Sequence, residues 1–395
     1  MKVLIANLGS TSFKYRLFDM DGERQLARGG VERIGAEQSS AFVEIGDARR
    51  ELTIEAPNHA AAVEQCLVQL TDPDQGCLAS ADEVSAIGFK AVHGGRARGV
   101  RRVDSDVLAA MDEMATVAPA HNPPYTAAMR QLQEALPSIP LVAAFETGFH
   151  ETIPPRLKHY AVPTEWAEEF GIKRWGFHGA SHRYVAGRTA ELTGNSEQRV
   201  ISCHLGGSSS VCAIRNGQSV ATSMGMSPQS GPPQNNRAGD FDPFALPLLM
   251  ERTSTTLEGA LELLASECGL KGLSGTSGDV RDLAESAAAG DERAQLALDV
   301  FTTSVRHYVG AYLVELGGVD MLAFAGGIGE NGTRIRTAIC SGLGELGIVL
   351  DEEKNAAATG EGAIHAAESK TQIWIVPTNE ELVVARQTRD LLEQS

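Results

Sequence analysis

The sequence has no run of apolar residues approaching the roughly 18 that a membrane-spanning helix needs. The first apolar run, in MKVLIANLGS, stops at Asn7; it is too short for the core of a signal peptide and reads as a first β-strand. Cysteines are few and scattered: Cys66, Cys77, Cys203, Cys212, Cys268 and Cys340 show no CxxC spacing, so neither a disulfide framework nor a zinc site is indicated. A reducing cytoplasm is the expected location. Positive charge is also scarce, with 34 basic against 51 acidic side chains and a net charge of −17. Such a field repels nucleic acid and anionic membrane surfaces, so neither is expected as a partner. An anionic substrate would need a local positive site. No low-complexity linker marks a domain boundary.

What is present is globular. Of 395 residues, 43% are apolar and 22% charged, and the length exceeds what one hydrophobic core usually fills, which predicts two domains. Two stretches share one plan, a strand, a Gly/Ser-rich turn and a second strand: Val3 to Ala6, Asn7 to Ser12, Lys14 to Phe18; and Val200 to His204, Leu205 to Ser209, Ser210 to Ile214. Their separation predicts a duplicated domain, residues 1–150 and 151–380; a C-terminal helix of about 381–395 is expected to join the first. Val63, Cys66, Leu67 and Leu70 have amphipathic spacing, as do Leu257, Leu261, Leu264 and Cys268. A longer helix is expected after the cap Asp291, carrying Leu296, Val300 and Val305 inward. Strands at Met321 to Phe324 and Ile373 to Val376 complete an α/β alternation.

Several segments carry chemistry. ANLGSTSFK brings Asn7, Gly9, Ser10, Ser12 and Lys14 to one turn, where backbone N–H groups, hydroxyls and a lysine can cradle phosphate and Asn7 can hold a metal-bound water. One such turn could be an ordinary hairpin; HLGGSSS is a second copy, and two cradles could grip a polyphosphate. FAGGIGENG has GxGxxG spacing after a strand with Asp351 downstream, the outline of a dinucleotide site. Glu330 beside a pyrophosphate argues against that, and glycines on which an adenosine lies flat explain the segment equally well. His93, His121 and His178 sit beside Gly or Pro turns, where a hydrogen-bonded loop residue is the plain alternative to a catalyst. For Arg237 and Arg281, surface ion pairing is the alternative.

In order and spacing, ANLGSTSFK, HGG, HNPP, GFHGASH, HLGG, SMG, RAGDFDP, SGDVRD, GGIGEN and PTNEEL resemble the acetate and propionate kinase family of the sugar kinase, Hsp70 and actin superfamily. The resemblance implies an α/β fold of two duplicated ribonuclease H-like (actin-like ATPase) domains with a cleft between them, and a homodimer. It implies reversible transfer from ATP to acetate, giving ADP and acetyl phosphate, with Mg²⁺ or Mn²⁺. By motif, Asn7 and Glu380 would serve the metal. Ser10, Ser12 and Lys14, with the loop His204, Leu205, Gly206, Gly207 and Ser208, would hold nucleotide phosphates. Asp279, Val280 and Arg281 with Gly327, Ile328, Gly329, Glu330 and Asn331 would hold ADP. His178 and Arg237, with Glu146, would be catalytic. Lys90 would meet the acid's carboxylate, and Val92, Ala120, Phe177 and Pro228 its alkyl group.

The chain departs from the family pattern at informative places. Lys90 stands for an arginine, which removes bidentate pairing, and Glu146 for an aspartate one methylene shorter. These two are expected to compensate in reach. Gly206, Gly207 and Ser208 replace GNG; Gln234, Asn235 and Asn236 precede the retained Arg237; Arg96 replaces an acid after HGG. Ala120 stands where leucine is usual, making room for one more methylene, worth about 0.8 kcal/mol if buried. Propionate is therefore expected to be accepted nearly as well as acetate, or better. A kinase of another short-chain acid, a pyrophosphate-using kinase, and a nucleotide-binding regulatory protein without acid kinase activity are the competing readings.

Overall fold

The computed structural model describes residues 1–9, 11–119 and 121–394. The chain forms two compact units, residues 1–148 with the stretch from 379 onward, and residues 149–378.

The first unit is built on a sheet of eight strands: β1 (Lys2–Leu8), β2 (Ser12–Asp19), β3 (Arg24–Glu32), β4 (Ser39–Ile45), β5 (Ala48–Ile54), β6 (Val84–Ala91), β7 (Val100–Arg102) and β8 (Leu141–Phe145). Their order is β5-β4-β3-β2-β1-β6-β8-β7. Strands β1 to β5 form an antiparallel meander, and β6 and β8 run parallel to β1. Strand β1 is apolar almost throughout because it is covered on both sides. Val3 and Ile5 pack on Val384 and Ala385 of the C-terminal helix Glu380–Glu393, while Leu4, Ala6 and Leu8 join the core that includes Val63, Cys66, Leu67 and Leu70. Those last four share the buried face of helix His59–Leu70, as their spacing predicts. Gly88 lets the C-terminal helix lie close: a Cβ there would stand 2.6 Å from Thr388 Oγ1 and 2.9 Å from Ile5 Cδ1.

The second unit has β9 (Arg199–His204), β10 (Ser210–Arg215), β11 (Gln218–Thr222), β12 (Met321–Ala325), β13 (Gly362–Ala363) and β14 (Gln372–Ile375), ordered β11-β10-β9-β12-β14-β13. Three antiparallel strands followed by two parallel ones repeat the β3-β2-β1-β6-β8 plan. The α/β duplication expected from the two Gly/Ser turns is thus present. Helix Glu292–Leu316 covers this sheet; Asp291 caps it by accepting from the backbone N–H of Arg293 and Ala294.

Two helix faces differ from expectation. Val305 is buried, but Leu296 is 51% exposed and Val300 is exposed too. Positions 296 and 305 are two and a half turns apart, hence on opposite sides; the inward stripe is Ala294, Ala297, Leu298, Phe301 and Val305. Leu257 and Leu261, placed with Leu264 and Cys268 on one amphipathic face, are about half exposed on helix Leu257–Ser266, which ends before Cys268. Spacing shows which residues share a face, not which face meets the sheet. No described helix is long and apolar enough to cross a membrane.

Candidate active site

In the first unit the chemistry gathers where β1, β6 and β8 end. Asn7 on β1 pairs in register with Lys14 on β2. At position 9 of the turn between them an added Cβ would stand 2.4 Å from Ser12 Oγ, so a larger residue would have to displace that hydroxyl. His59 buttresses the turn through a 2.9 Å contact between its Nε2 and the Gly9 carbonyl. Lys14 is exposed, beside a cavity of about 330 Å³ that Asn7, Arg16, Arg28, Arg49 and Glu44 also line. Ser10 and Ala120 lie outside the described residues.

Lys90 stands on β6 opposite Ala144 of β8, and Glu146 directly follows β8. Adjacent parallel strands therefore deliver an ammonium and a carboxylate to the same end of the sheet. Lys90 Nζ donates to Glu380 Oε2 at 2.7 Å. Burial works against the ammonium, but attraction to Glu380 and Glu146 and the hydrogen bond to Glu380 outweigh it, so Lys90 titrates above the usual lysine range. Glu380 opens the C-terminal helix, whose cap Asn379 accepts from the Leu382 N–H, a position where the helix dipole favours negative charge.

Tyr125, which the motifs did not single out, ties these parts together. Its hydroxyl donates to Asn7 Oδ1 at 3.0 Å and accepts from the Leu8 N–H at 3.1 Å. The HGG and HNPP segments turn out to brace each other: Asn122 Nδ2 donates to the His93 carbonyl at 2.8 Å, and His93 Nδ1 accepts from the Gly95 N–H at 3.0 Å. This bracing fixes the loop that carries half-buried Val92.

In the second unit the HLGGS loop leaves β9 and is joined to GGIGEN, because the Leu205 carbonyl accepts from the N–H of Ile328 and of Gly329. Gly326 (φ 74°) is required there: a Cβ would stand 2.6 Å from the Leu205 carbonyl oxygen. The strand Met321–Ala325 runs into the short helix Gly326–Asn331, and no atom would come within 4 Å of a Cβ at Gly327, so the backbone is open to a flat ligand. Arg336, missed in the sequence, is buried beneath and donates to the Gly329 and Glu330 carbonyls at 2.9 and 2.8 Å. Burial raises the Glu330 carboxyl above its usual range. Asp351 does not act as in a dinucleotide fold; it caps helix Glu352–Ala357 by accepting from the Lys354 N–H.

The departures at the second loop are mutually paired. Ser208 Oγ donates to Gln234 Oε1 at 2.7 Å, Arg237 Nη1 donates to the same oxygen at 3.1 Å, and Gln234 Nε2 donates to the carbonyl of buried Pro228 at 2.8 Å. Gln234 is buried, so Ser208 and Gln234 together aim Arg237. A Cβ at Gly278 would stand 2.4 Å from the Asn235 carbonyl, which places SGDVRD against this loop. Asp279 caps helix Val280–Ala288 and pairs with Arg281 at 2.6 Å; Arg281 is largely exposed and Val280 buried.

His178 has φ 55°, an unusual left-handed backbone for a non-glycine residue, directly before helix Gly179–Thr193. Its ring lies 4.3 Å from that of His204. Neighbouring Phe177 is buried, and its carbonyl meets His150 Nε2 at 2.9 Å. Burial lowers His150 to about 4 and His182 well below the usual histidine value. Among the described residues no cluster of His, Cys, Asp or Glu could hold a metal by itself. One amide and one carboxylate, Asn7 and Glu380, with remaining ligands from water and phosphate oxygens, is nonetheless a donor set that suits Mg²⁺.

Duplicated sheets with glycine loops at their strand ends define an α/β protein of the actin-like ATPase fold. Residues 2–386 match the acetokinase family, and the chain belongs to it. Among curated proteins, acetate kinase of Dictyoglomus turgidum is 44% identical, covering 98% of this chain and 97% of its own. Acetate kinase of Methanosarcina acetivorans is 42% identical, covering 100% and 97%. The crystal structure of Porphyromonas gingivalis acetate kinase matches with TM-score 0.91 at 37% identity, covering 99% of each chain. A propionate kinase from Francisella tularensis matches with TM-score 0.90 at 31% identity, covering 98% and 99%. Family membership makes this chain a phosphotransferase.

Proposed function

We propose that this protein is a cytoplasmic kinase that transfers the γ-phosphoryl group of ATP reversibly to acetate, giving acetyl phosphate and ADP, and that it also accepts propionate. The observation that carries the reading is Lys90, a lysine kept charged by Glu380 and Glu146 at the end of the first unit's parallel strands. A short-chain carboxylate is already anionic at neutral pH, so it needs a cation and not a strong base. Lys90 supplies that cation as a single point charge. A carboxylate oxygen of the acid attacks the γ-phosphorus while the bond to the β–γ bridging oxygen breaks, and ADP leaves with that electron pair.

Negative charge spreads over the γ-phosphoryl oxygens during transfer, so the protein's task is positioning and positive potential. Arg237, held by Gln234, and His178 are assigned to those oxygens. Lys14, Ser10 and Ser12 with residues 204–208 are assigned to the nucleotide phosphates, and residues 279–281 and 327–331 to ADP. Asn7, oriented by Tyr125, and Glu380 would hold Mg²⁺ or Mn²⁺, which neutralises phosphate charge when bound. Glu146 supports the charge of Lys90. Val92, Ala120, Phe177 and Pro228 are assigned to the alkyl group, and the small side chain of Ala120 supports acceptance of propionate. The exposed leucines Leu257 and Leu261 on one face of helix Leu257–Ser266 support a homodimer.

The test is incubation with MgATP and acetate, propionate or butyrate, with hydroxylamine trapping of any acyl phosphate. Hydroxamate from acetate and propionate is expected. Nucleotide binding without hydroxamate from any acid, and without ATP formation from acetyl phosphate and ADP, would overturn the proposal in favour of a regulatory protein.

A further inference from the structure

Behind His178 runs a chain of buried side chains carried by helix Gly179–Thr193 and strands β9 and β10. His178 Nδ1 lies 2.8 Å from Ser210 Oγ, Ser210 Oγ lies 2.8 Å from His182 Nε2, and His182 Nδ1 lies 2.8 Å from Ser202 Oγ. Ser202, Ser210 and His182 are fully buried. Ser202 sits in the middle of β9 and Ser210 opens β10, so the pairing of these strands sets the spacing.

The direction of each hydrogen bond follows from one hydroxyl. Among the described residues, Ser202 Oγ has His182 Nδ1 as its single hydrogen-bond partner. Its one hydrogen must go to that nitrogen, because otherwise a buried donor is left unmet. His182, kept neutral by burial, then carries its proton on Nε2 and donates to Ser210. Ser210 has one hydrogen left to give, and it goes to His178 Nδ1. We propose that Ser202, acting through His182 and Ser210, is a positioning residue that fixes the tautomer of His178, so that the ring proton sits on Nε2 as a neutral donor.

His204 repeats the device: its Nδ1 lies 2.7 Å from the hydroxyl of buried Ser181, and its Nε2 faces the glycine loop, 3.9 Å from where a Cβ at Gly206 would stand. The two imidazoles, tilted 31° to each other, thus each have Nδ1 within hydrogen-bond reach of a buried serine. A donor that need not be charged avoids the cost of burying an imidazolium, and it stays a donor as pH rises past the ordinary histidine range.

The inference rests on the phosphoryl-binding role proposed for His178, but its primary readout does not. Full-length protein labelled with ¹⁵N on histidine is examined by two-bond ¹H–¹⁵N correlation, with the His178 signals identified by their loss in His178→Gln. The expected spectrum shows His178 and His182 both protonated at Nε2. In Ser202→Ala the His178 signals become those of a tautomer mixture, and kcat for acyl phosphate formation falls about twofold to threefold with both KM values unchanged, since one neutral hydrogen bond sets the bias. Ser202→Thr, which keeps the hydroxyl, restores the single tautomer and kcat. A wild-type His178 protonated at Nδ1 overturns the proposal, as does a Ser202→Ala spectrum with His178 unchanged, whatever kcat does. Should Ser202→Ala not fold, the wild-type and Ser202→Thr spectra still decide. If no acid is phosphorylated the assigned function fails, and the spectra test the relay separately.

Discussion

Lys90→Met should cripple the acid site while sparing the nucleotide site. The methionine keeps the length of the chain and its apolar stem, so packing between β6 and β8 is little changed. What is lost is the hydrogen bond to Glu380 at 2.7 Å and the positive charge between Glu380 and Glu146. A hydrogen bond to a charged group contributes about 1.5–3 kcal/mol, so kcat/KM for acetate should fall roughly 10- to 150-fold. Removing one partner of a buried pair costs about 3–5 kcal/mol. The side chains of Lys90 and Glu380 retain 28% and 15% exposure, so screening reduces the stability loss to about 1–2 kcal/mol. Because the folded lysine titrates above its ordinary 10.5, this contribution is fully present below that pH and is lost only as pH rises further. The assay is steady-state hydroxamate formation with acetate and ATP varied separately, alongside thermal melts at neutral pH. A KM for ATP that rises while the KM for acetate stays fixed would refute the assignment of Lys90 to the acid.

Gln234→Leu removes the oxygen that accepts from both Ser208 and Arg237, so kcat should fall about tenfold; unchanged kcat would show that Arg237 is held by something else. His150 is depressed to about 4 in the fold, so the unfolded chain binds the extra proton between there and about 6.5. Urea melts should show stability falling by roughly 3 kcal/mol as pH drops through that window, and His150→Asn should flatten the slope. Leu257→Glu with Leu261→Glu should convert a dimer to a monomer by light scattering with little change in melting temperature; a wild-type monomer would remove the dimer proposal.

The candidate site was legible in the sequence wherever chemistry is carried by neighbours in the chain. Gly326 marks a turn that admits no side chain, and a strand followed by a Gly/Ser turn gave away both copies of the sheet plan. Lys90 and Glu146 could be named only through the resemblance, because the residues before HGG and the FETGFH segment align with motifs of the family. By contrast, Tyr125, His59 and Arg336 carried no signal: each acts on a backbone or side chain distant in sequence, and each residue type is common in ordinary helices. GxGxxG with Asp351 was a false signal, since Asp351 caps helix Glu352–Ala357 and pairs with Lys354.

What the amino-acid order settles by itself is local: strand and helix periods, the Asp291 cap, glycine turns, and through them a duplicated α/β chain of the acetokinase family. Backbone sterics and nearest-neighbour hydrogen bonds act over a few residues, so those features survive in any context. What only the tertiary structure decided is which side of each helix meets the sheet, as Leu296 and Val305 show, and which distant polar groups become partners. The pairing of Ser208 with Gln234 and the line from Ser202 to His178 arise from strand register and helix packing, which bring together side chains that no spacing in the sequence relates.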